Sequence, residues 1–510
     1  MEFLNLVDWA IFLGYLLAIF ILGIWFAKEQ HSNEDFFLGG RKMSWLPIGL
    51  SMFASVFSSN SFVGLPTQAA FGNYHTYFAI VWIPLLVVPV VGWVFVPLFH
   101  RLGITSVYEY LEFRFNRLIR LIGSSLFMIY TFAWMGNLLY AVSHIIEPIL
   151  GLGPDDLFVT AWLLVGIGSF ATIYTALGGF KAVIWTDIFQ AIALGSGMVV
   201  ILWLALARIE GGWDGMIEIG LTHSKFEMFD LHFDMSPGVD NIYSALSIGL
   251  FAYFPWYAVT LTAVQRYVSM PTVQAAQHSL VISGVISVAV CLIFFLMGST
   301  LFAFYHQDIP VGASVGTGFP QVHQNQLLPN FVLSEITQVG LLGLLLSGLF
   351  AAAMSSIDSG INALTATVVC DWMSNRQLKV QFSRVLCGLF GTGGILSAVF
   401  ILYQRSEVYQ LIISLSGTFL GLLLGIFLLG MLVKRANPGG ALIGLAAGSM
   451  VLAVAWKHVG GQWYGAFTCL PTILVGWISS YWFTPPARRQ VEGLMIGSRS
   501  SGEMKQASLH

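Results

Sequence analysis

Charge is what this chain has least of. Across 510 residues only 9% are Asp, Glu, Lys or Arg, against 57% that are hydrophobic. A soluble domain carries about a quarter of its residues as charged groups, so a water-facing globular fold is excluded. The net charge of −3 also excludes a strongly basic surface for nucleic acid. Cysteine is scarce too: Cys291, Cys370, Cys387 and Cys469 each stand alone in apolar runs. They offer no CxxC pair and no disulfide framework, and read as small core residues. The chain also lacks a nucleotide loop, a metal-hydrolase motif and a nucleophile elbow. The expectation is that it is not an enzyme.

What is abundant is apolar sequence and glycine. The 53 glycines suit helices that pack closely in lipid. A helix needs about 20 apolar residues to cross a bilayer. Such runs recur about thirteen times, centred near residues 18, 58, 88, 134, 168, 196, 252, 289, 352, 394, 420, 447 and 472. The predicted class is an all-α polytopic membrane protein in a plasma membrane, or in the inner membrane of a bacterium. The first run does not resemble a cleaved signal peptide, because Glu2 and Asp8 precede it and no A-x-A-like site follows. If the N-terminus is outside and thirteen spans alternate, only Arg208, Lys225, Arg405 and Lys457 of the 22 basic residues fall outside. Arg266 counts among the cytoplasmic ones. The positive-inside rule then places the N-terminus outside and the C-terminus inside.

The longest polar interruptions, 209–241 and 306–330, fall on the outer side, and the tail after Pro485 is short and polar. Two spans are not plain helices. "SMFASVFSSNSFVGLP" joins hydroxyls and an Asn to Gly64 and Pro66, and "SIGLFAYFPW" contains Gly249 and Pro255. With the first span set aside, these are helices 1 and 6 of a ten-helix core. That spacing is what two five-helix inverted repeats require, and broken helices in matching positions mark the binding site of many secondary transporters.

Polar groups in the membrane interior are functional candidates by default. Asp187 lies a few residues into core helix 5, and Asp358 lies on core helix 8 within "AAAMSSIDSGIN". Ser355, Asp358 or Ser359, and Asn362 share one helix face. A single serine here would be explained by a bond back to its own backbone. Four oxygen-bearing side chains within five residues are better explained by a hard cation such as Na⁺. Unwound carbonyls of core helix 1 around Ala54–Phe57 would complete the ligand set.

Six segments then carry a family resemblance: "DFFLGGRKMSWLPIGLSMFAS", "LGITSVYEYLEFRFN", "YTALGGFKAVIWTDIFQ", "AVQRYVS", "AAAMSSIDSGINALTATVV" and "GMLVKRANPGGALIGL". Together they resemble the sodium/solute symporters, which include glucose, proline, iodide, monocarboxylate and sialic acid cotransporters. The resemblance implies a LeuT-like five-plus-five inverted repeat, working by alternating access. It divides the chain into an extra N-terminal helix (1–30), a transport core (44–435), two further helices (436–484) and a cytoplasmic tail (485–510). It implies a main sodium site from Ala54 and Phe57 of helix 1 with Ala352, Ser355 and Ser356 of helix 8. A second cation position would use Asp187, Asp358 and Ser359, where Asp358 stands in place of the serine of the sialic acid branch. The solute pocket implied between helices 1, 3, 6 and 10 draws in Ser58, Ser61, Trp134, Asn137, Tyr253 and Trp256. The sugar branch's Glu-Gln pair is replaced here by Asn60–Ser61, and the sialic acid branch's helix 3 arginine by Trp134. The expected function is Na⁺-coupled import of a small organic solute: a monocarboxylate, a sugar or a sialic-acid-like compound. The alternatives are proton coupling on the same fold and a transporter-like membrane sensor.

Overall fold

A computed structural model describes residues 5–30, 32–152, 156–307, 319–320, 324–335, 339–373, 378–404 and 408–496. Glu2, Arg376, Arg405, Arg499, Lys505, most of the 306–330 loop and the end of the tail lie outside the described residues. The described chain is helical: α1 (Leu6–Ala27), α2 (Trp45–Val56), α3 (Ser59–Phe71), α4 (Tyr77–Leu102), α5 (Arg117–Leu150), α6 (Leu157–Leu206), α7 (Ile242–Val259), α8 (Val273–His306), α9 (Leu341–Trp372), α10 (Val380–Gln404), α11 (Gln410–Leu432), α12 (Pro438–Ala455) and α13 (Tyr464–Ser479). Ten described helices are long and apolar enough to cross a membrane, or eleven if the bent pair α2–α3 is one span. Twelve of the thirteen expected centres fall within these helices, and the other, residue 58, falls at the break between α2 and α3. The 50-residue α6 holds two of them. Straight, it would run about 75 Å, more than twice the hydrocarbon thickness. The chain instead departs from helical geometry at Gly179 (φ 59°, ψ −160°), a conformation open to glycine and costly for other residues.

Short polar signals set the helix ends. Asn5 and Asp8 form a capping box on α1, as Asn241 and Ser244 do on α7. Asp8 has a second use, because its Oδ1 accepts from Gly343 N (2.9 Å) and ties α1 to the first turn of α9. On α8, a Cβ at Gly298 would sit 2.3 Å from the Pro66 carbonyl. The bare backbone there is what lets α3 lie against α8.

Both expected breaks exist, one of them displaced. Between α2 and α3 the chain bends by 59°, with Phe57 (φ −93°, ψ 103°) and Ser58 (φ −121°, ψ −173°) extended. In the sixth core helix, Gly249–Tyr253 winds as a π-helical turn and does not break. Pro255 lies in the first turn of the α-helical segment that follows. The break comes at Thr260 (φ −82°, ψ 139°), whose hydroxyl caps the short helix Leu261–Val268. That short helix overturns one use of Arg266. It is no loop residue, for it is 1% exposed and its side chain enters the helix core.

Candidate functional site

The break in the first core helix frees backbone oxygens. Phe57 N still donates to Phe53 O, but the extended Ser58 ends the helical ladder there, so the carbonyls from Ala54 onward lose their usual partners. Ser355 of α9 reaches the first of them. Its Oγ lies 3.2 Å from Ala54 O and 3.1 Å from its own Ala352 O. Three of the five expected sodium-site residues therefore meet within hydrogen-bond distance. Ser356 Oγ is buried one residue on and meets no hydrogen-bond partner among the described residues. Phe57 sits at the break, its ring packed on Phe53 and Phe294. Carbonyl and hydroxyl oxygens gathered at a helix break suit a small hard monovalent cation.

Beside this cluster stands a charged one. Arg266 Nη2 lies 3.1 Å from Asp187 Oδ2 of α6 and donates to Ser359 Oγ of α9 (2.7 Å) and to Ser55 Oγ of α2 (2.6 Å). Arg266 Nε donates to Ser51 Oγ (2.9 Å), and Nη1 to Thr262 O (2.7 Å). Ser51 in turn donates to the same Asp187 oxygen. Of the three expected second-site residues, two are held by a guanidinium. Asp358 is held differently: its Oδ2 accepts from Tyr174 of α6 (2.7 Å) and its Oδ1 from Ser359 N (2.6 Å). Asn362, on the same α9 face, accepts from Gln265 of the short helix (3.2 Å). The polar face of α9 thus points at both helix breaks.

A cavity of about 80 Å³ lies against the other side of the first break. Ser58 and Ser61 line it from the break, Trp134 from α5, and Tyr253 and Trp256 from α7. Asn137 is fully buried on α5 and does not line it. Several lining residues were not foreseen: Asn60, Leu65, Tyr130, and Ile412, Ile413 and Ser416 of α11. Ala252 and Tyr253 come from the π-helical turn of α7, and Ser416 opens another in α11. Such turns often occur at functional sites. Ser55 lines the cavity while accepting from Arg266, so it joins the two regions. Tyr130 and Trp134 stack nearly parallel, 6.3 Å apart.

Broken helices 1 and 6, freed carbonyls facing a hydroxyl-bearing helix, and a cavity between core helices 1, 3, 6 and 10 define an inverted-repeat secondary transporter. The profile of the Sodium:solute symporter family matches residues 36–448, and the chain belongs to that family. Sodium-coupled symport across a membrane is therefore its activity. The Sodium/sialic acid symporter SiaT of Proteus mirabilis (strain HI4320) is 29% identical, over 94% of this chain and 96% of its own length. The Sodium-dependent multivitamin transporter of Oryctolagus cuniculus is 32% identical over 89% and 71%. The human Sodium-coupled monocarboxylate transporter 1 is 31% identical over 90% and 74%. Among solved structures, a substrate-bound, outward-open Na⁺-coupled sialic acid symporter superposes with a TM-score of 0.82 at 26% identity, covering 94% of this chain and 99% of that one. The nucleobase-cation symporter Mhp1 (TM-score 0.54, 13% identity) shares the fold alone.

Proposed function

We propose that this protein couples inward movement of Na⁺ to uptake of a small organic solute, with the ion held where α9 meets the first helix break. The observation that carries this is the meeting of Ser355 Oγ with Ala54 O and Ala352 O. Ala54 and Phe57 supply carbonyls, Ala352 a third, and Ser355 and Ser356 their hydroxyls. An ion bound there fixes the relative position of α2 and α9. Solute then fills the adjoining cavity at Ser58, Ser61, Trp134, Tyr253 and Trp256, with Asn137 behind that wall. Each ligand favours the same arrangement of the break, so each raises the affinity of the other.

The proposal includes a second cation position at Asp187, Asp358 and Ser359. Arg266 already supplies positive charge to two of these residues, which leaves Asp358 as the oxygen donor available to an ion. It also includes an outer N-terminus, an inner C-terminus and a transport core of residues 44–435. The cavity and both cation positions draw only on that core, while 1–30 and 436–484 pack around it and 485–510 is the cytoplasmic tail, whose Leu494 O accepts from Tyr110 of the core.

Uptake into proteoliposomes with and without an inward Na⁺ gradient tests the reading. Saturable uptake that requires the gradient is expected. Uptake that ignores Na⁺ and follows a pH gradient would overturn it in favour of proton coupling, and Na⁺ binding without any transport would favour a sensor.

A further inference from the structure

Lysine is rarely buried without a carboxylate to pair with. Lys225, just past the short loop helix Gly212–Thr222, is 3% exposed and forms no ion pair among the described residues. Its ammonium donates to Ala70 O (2.8 Å) and to Gly72 O, and lies 4.4 Å from the centre of the Phe302 ring. Those carbonyls sit at the C-terminal end of α3, where they lack helical partners and the dipole favours a cation. The ring face adds a further attraction for the charge. The titratable side chains around it are His223 on the loop and His306 on α8, which both pack on Phe302, with Tyr74 past the end of α3 and the exposed Glu227. None of them bonds to the ammonium among the described residues.

The helix that Lys225 holds is the second half of the first broken helix. The 13 residues of α3 run about 20 Å from the break to this clasp. At the break end Ser58 and Ser61 line the cavity, and Phe57 adjoins α2. Midway, the bare backbone of Gly298 seats Pro66 against α8. A rod seated at its middle and clasped at one end has its direction fixed at the other.

We propose that Lys225 is a positioning residue for Na⁺-coupled transport: by clasping the far end of α3 it keeps the break in its ion-binding geometry, and it releases that end when the ammonium loses its proton. This rests on the ion position at the break. Burial with no neighbouring charge brings the Lys225 pKa down to about 8, so the clasp is charged at neutral pH and lost in alkali. An arginine in its place stays charged throughout. Direct repulsion between the ammonium and the ion would act in the opposite sense, because loss of the charge would then strengthen Na⁺ binding.

The test is Na⁺-induced thermal stabilisation of the full chain in detergent, with K⁺ as the control ion, at about pH 7 and about pH 9.5. In the wild type, the Na⁺ concentration for half the stabilisation is expected to rise about tenfold between the two. Lys225→Arg is expected to match the wild type at the lower pH and to keep that affinity at the higher one. Lys225→Met is expected to show the weakened affinity at both. If either variant fails to fold, judged by its Tm in K⁺, the other decides together with the wild-type profile. A wild-type affinity that does not fall with pH overturns the proposal. So does an equal fall in Lys225→Arg, which would place the titrating group elsewhere, or wild-type affinity in Lys225→Met. A wild type that Na⁺ stabilises at neither pH overturns the ion position itself, and the role of Lys225 with it.

Discussion

Among the described residues two arginines are no more than 1% exposed, and the protein treats them in opposite ways. Arg114 is 0% exposed, and its guanidinium donates to backbone carbonyls: Gly430 (2.8 Å), Val433 (2.7 Å) and Ala436 (2.9 Å). These lie at and just beyond the C-terminal end of α11, where carbonyls lack helical partners and the dipole favours a cation. Arg266 is 1% exposed and spends three of its contacts on the side chains of Ser51, Ser55 and Ser359, with Asp187 as its counter-ion. Those partners sit on α2, α6 and α9, and α2 ends at the break. Carbonyls fixed at a helix terminus make a permanent clasp. Hydroxyls and a carboxylate drawn from separate helices make a junction whose partners can be exchanged when the helices move. We propose that the first arrangement serves the fold and the second the transport cycle.

The largest expected effect comes from removing charge at the junction. Arg266→Gln leaves Asp187 buried without a counter-ion, which costs about 3–5 kcal/mol of stability, and uptake is lost. Neutralising both partners, as Asp187→Asn with Arg266→Gln, should recover most of that stability while uptake stays absent. Denaturation midpoints and proteoliposome uptake on the three variants measure both effects. A double variant no more stable than Arg266→Gln would show that the pair is not the unit proposed.

Arg114→Met makes the complementary test. No counter-ion is stranded, because its partners are carbonyls, and loss of charge-assisted hydrogen bonds costs about 1.5–3 kcal/mol for each bond. Uptake per folded molecule should be unchanged. Lost uptake with intact folding would place Arg114 in the cycle and dissolve the contrast between the two arginines.

A sequence reading reaches this contrast only halfway. Span positions were legible because apolar length is a coarse property that tertiary packing cannot hide. The α9 cluster was legible because four oxygen-bearing side chains in an apolar run have no bland account. The break at Thr260 was overlooked in favour of Gly249 and Pro255. Those residues favour irregular backbone in general, but here Pro255 sits in the first turn of an α-helical segment, where a missing N–H is harmless. A threonine that caps the next helix was the better signal, since Thr is a favoured N-cap. Arg266 was counted with the loops because hydropathy cannot tell an arginine beside a span from one folded back into the core. Ile412 and Ile413 gave no sign of the cavity, because an apolar wall residue and an apolar packing residue have the same sequence signature.

The main cation position tests the same contrast more gently. Ser355→Ala removes a hydroxyl but strands no charge, so the fold should tolerate it. Half-saturation for Na⁺ should rise about tenfold, equivalent to about 1.4 kcal/mol, with Ser356→Ala in the same direction. Uptake measured against Na⁺ concentration gives the value. Unchanged Na⁺ dependence in both variants would mean that the ion is held elsewhere.

The smallest effect is expected at Asp358, and it decides whether the junction carries one ion position or two. Asp358 shares the α9 face with Ser355 but makes no ion pair among the described residues, and Tyr174 and Ser359 N satisfy one oxygen each. If it were only structural, Asp358→Asn would keep an acceptor for Ser359 N while its amide N–H donated to the Tyr174 hydroxyl oxygen, and change little. As an ion ligand it acts through charge, which Asn lacks, so the replacement should lower the number of Na⁺ carried per solute. Solute affinity should stay within about threefold, or about 0.7 kcal/mol, because Asp358 does not line the cavity. The ratio of Na⁺ to solute flux in proteoliposomes separates the two. An unchanged ratio would assign Asp358 to the same class as Arg114, a buried polar group held for the fold. A lowered ratio would place it with Arg266 at the junction that moves.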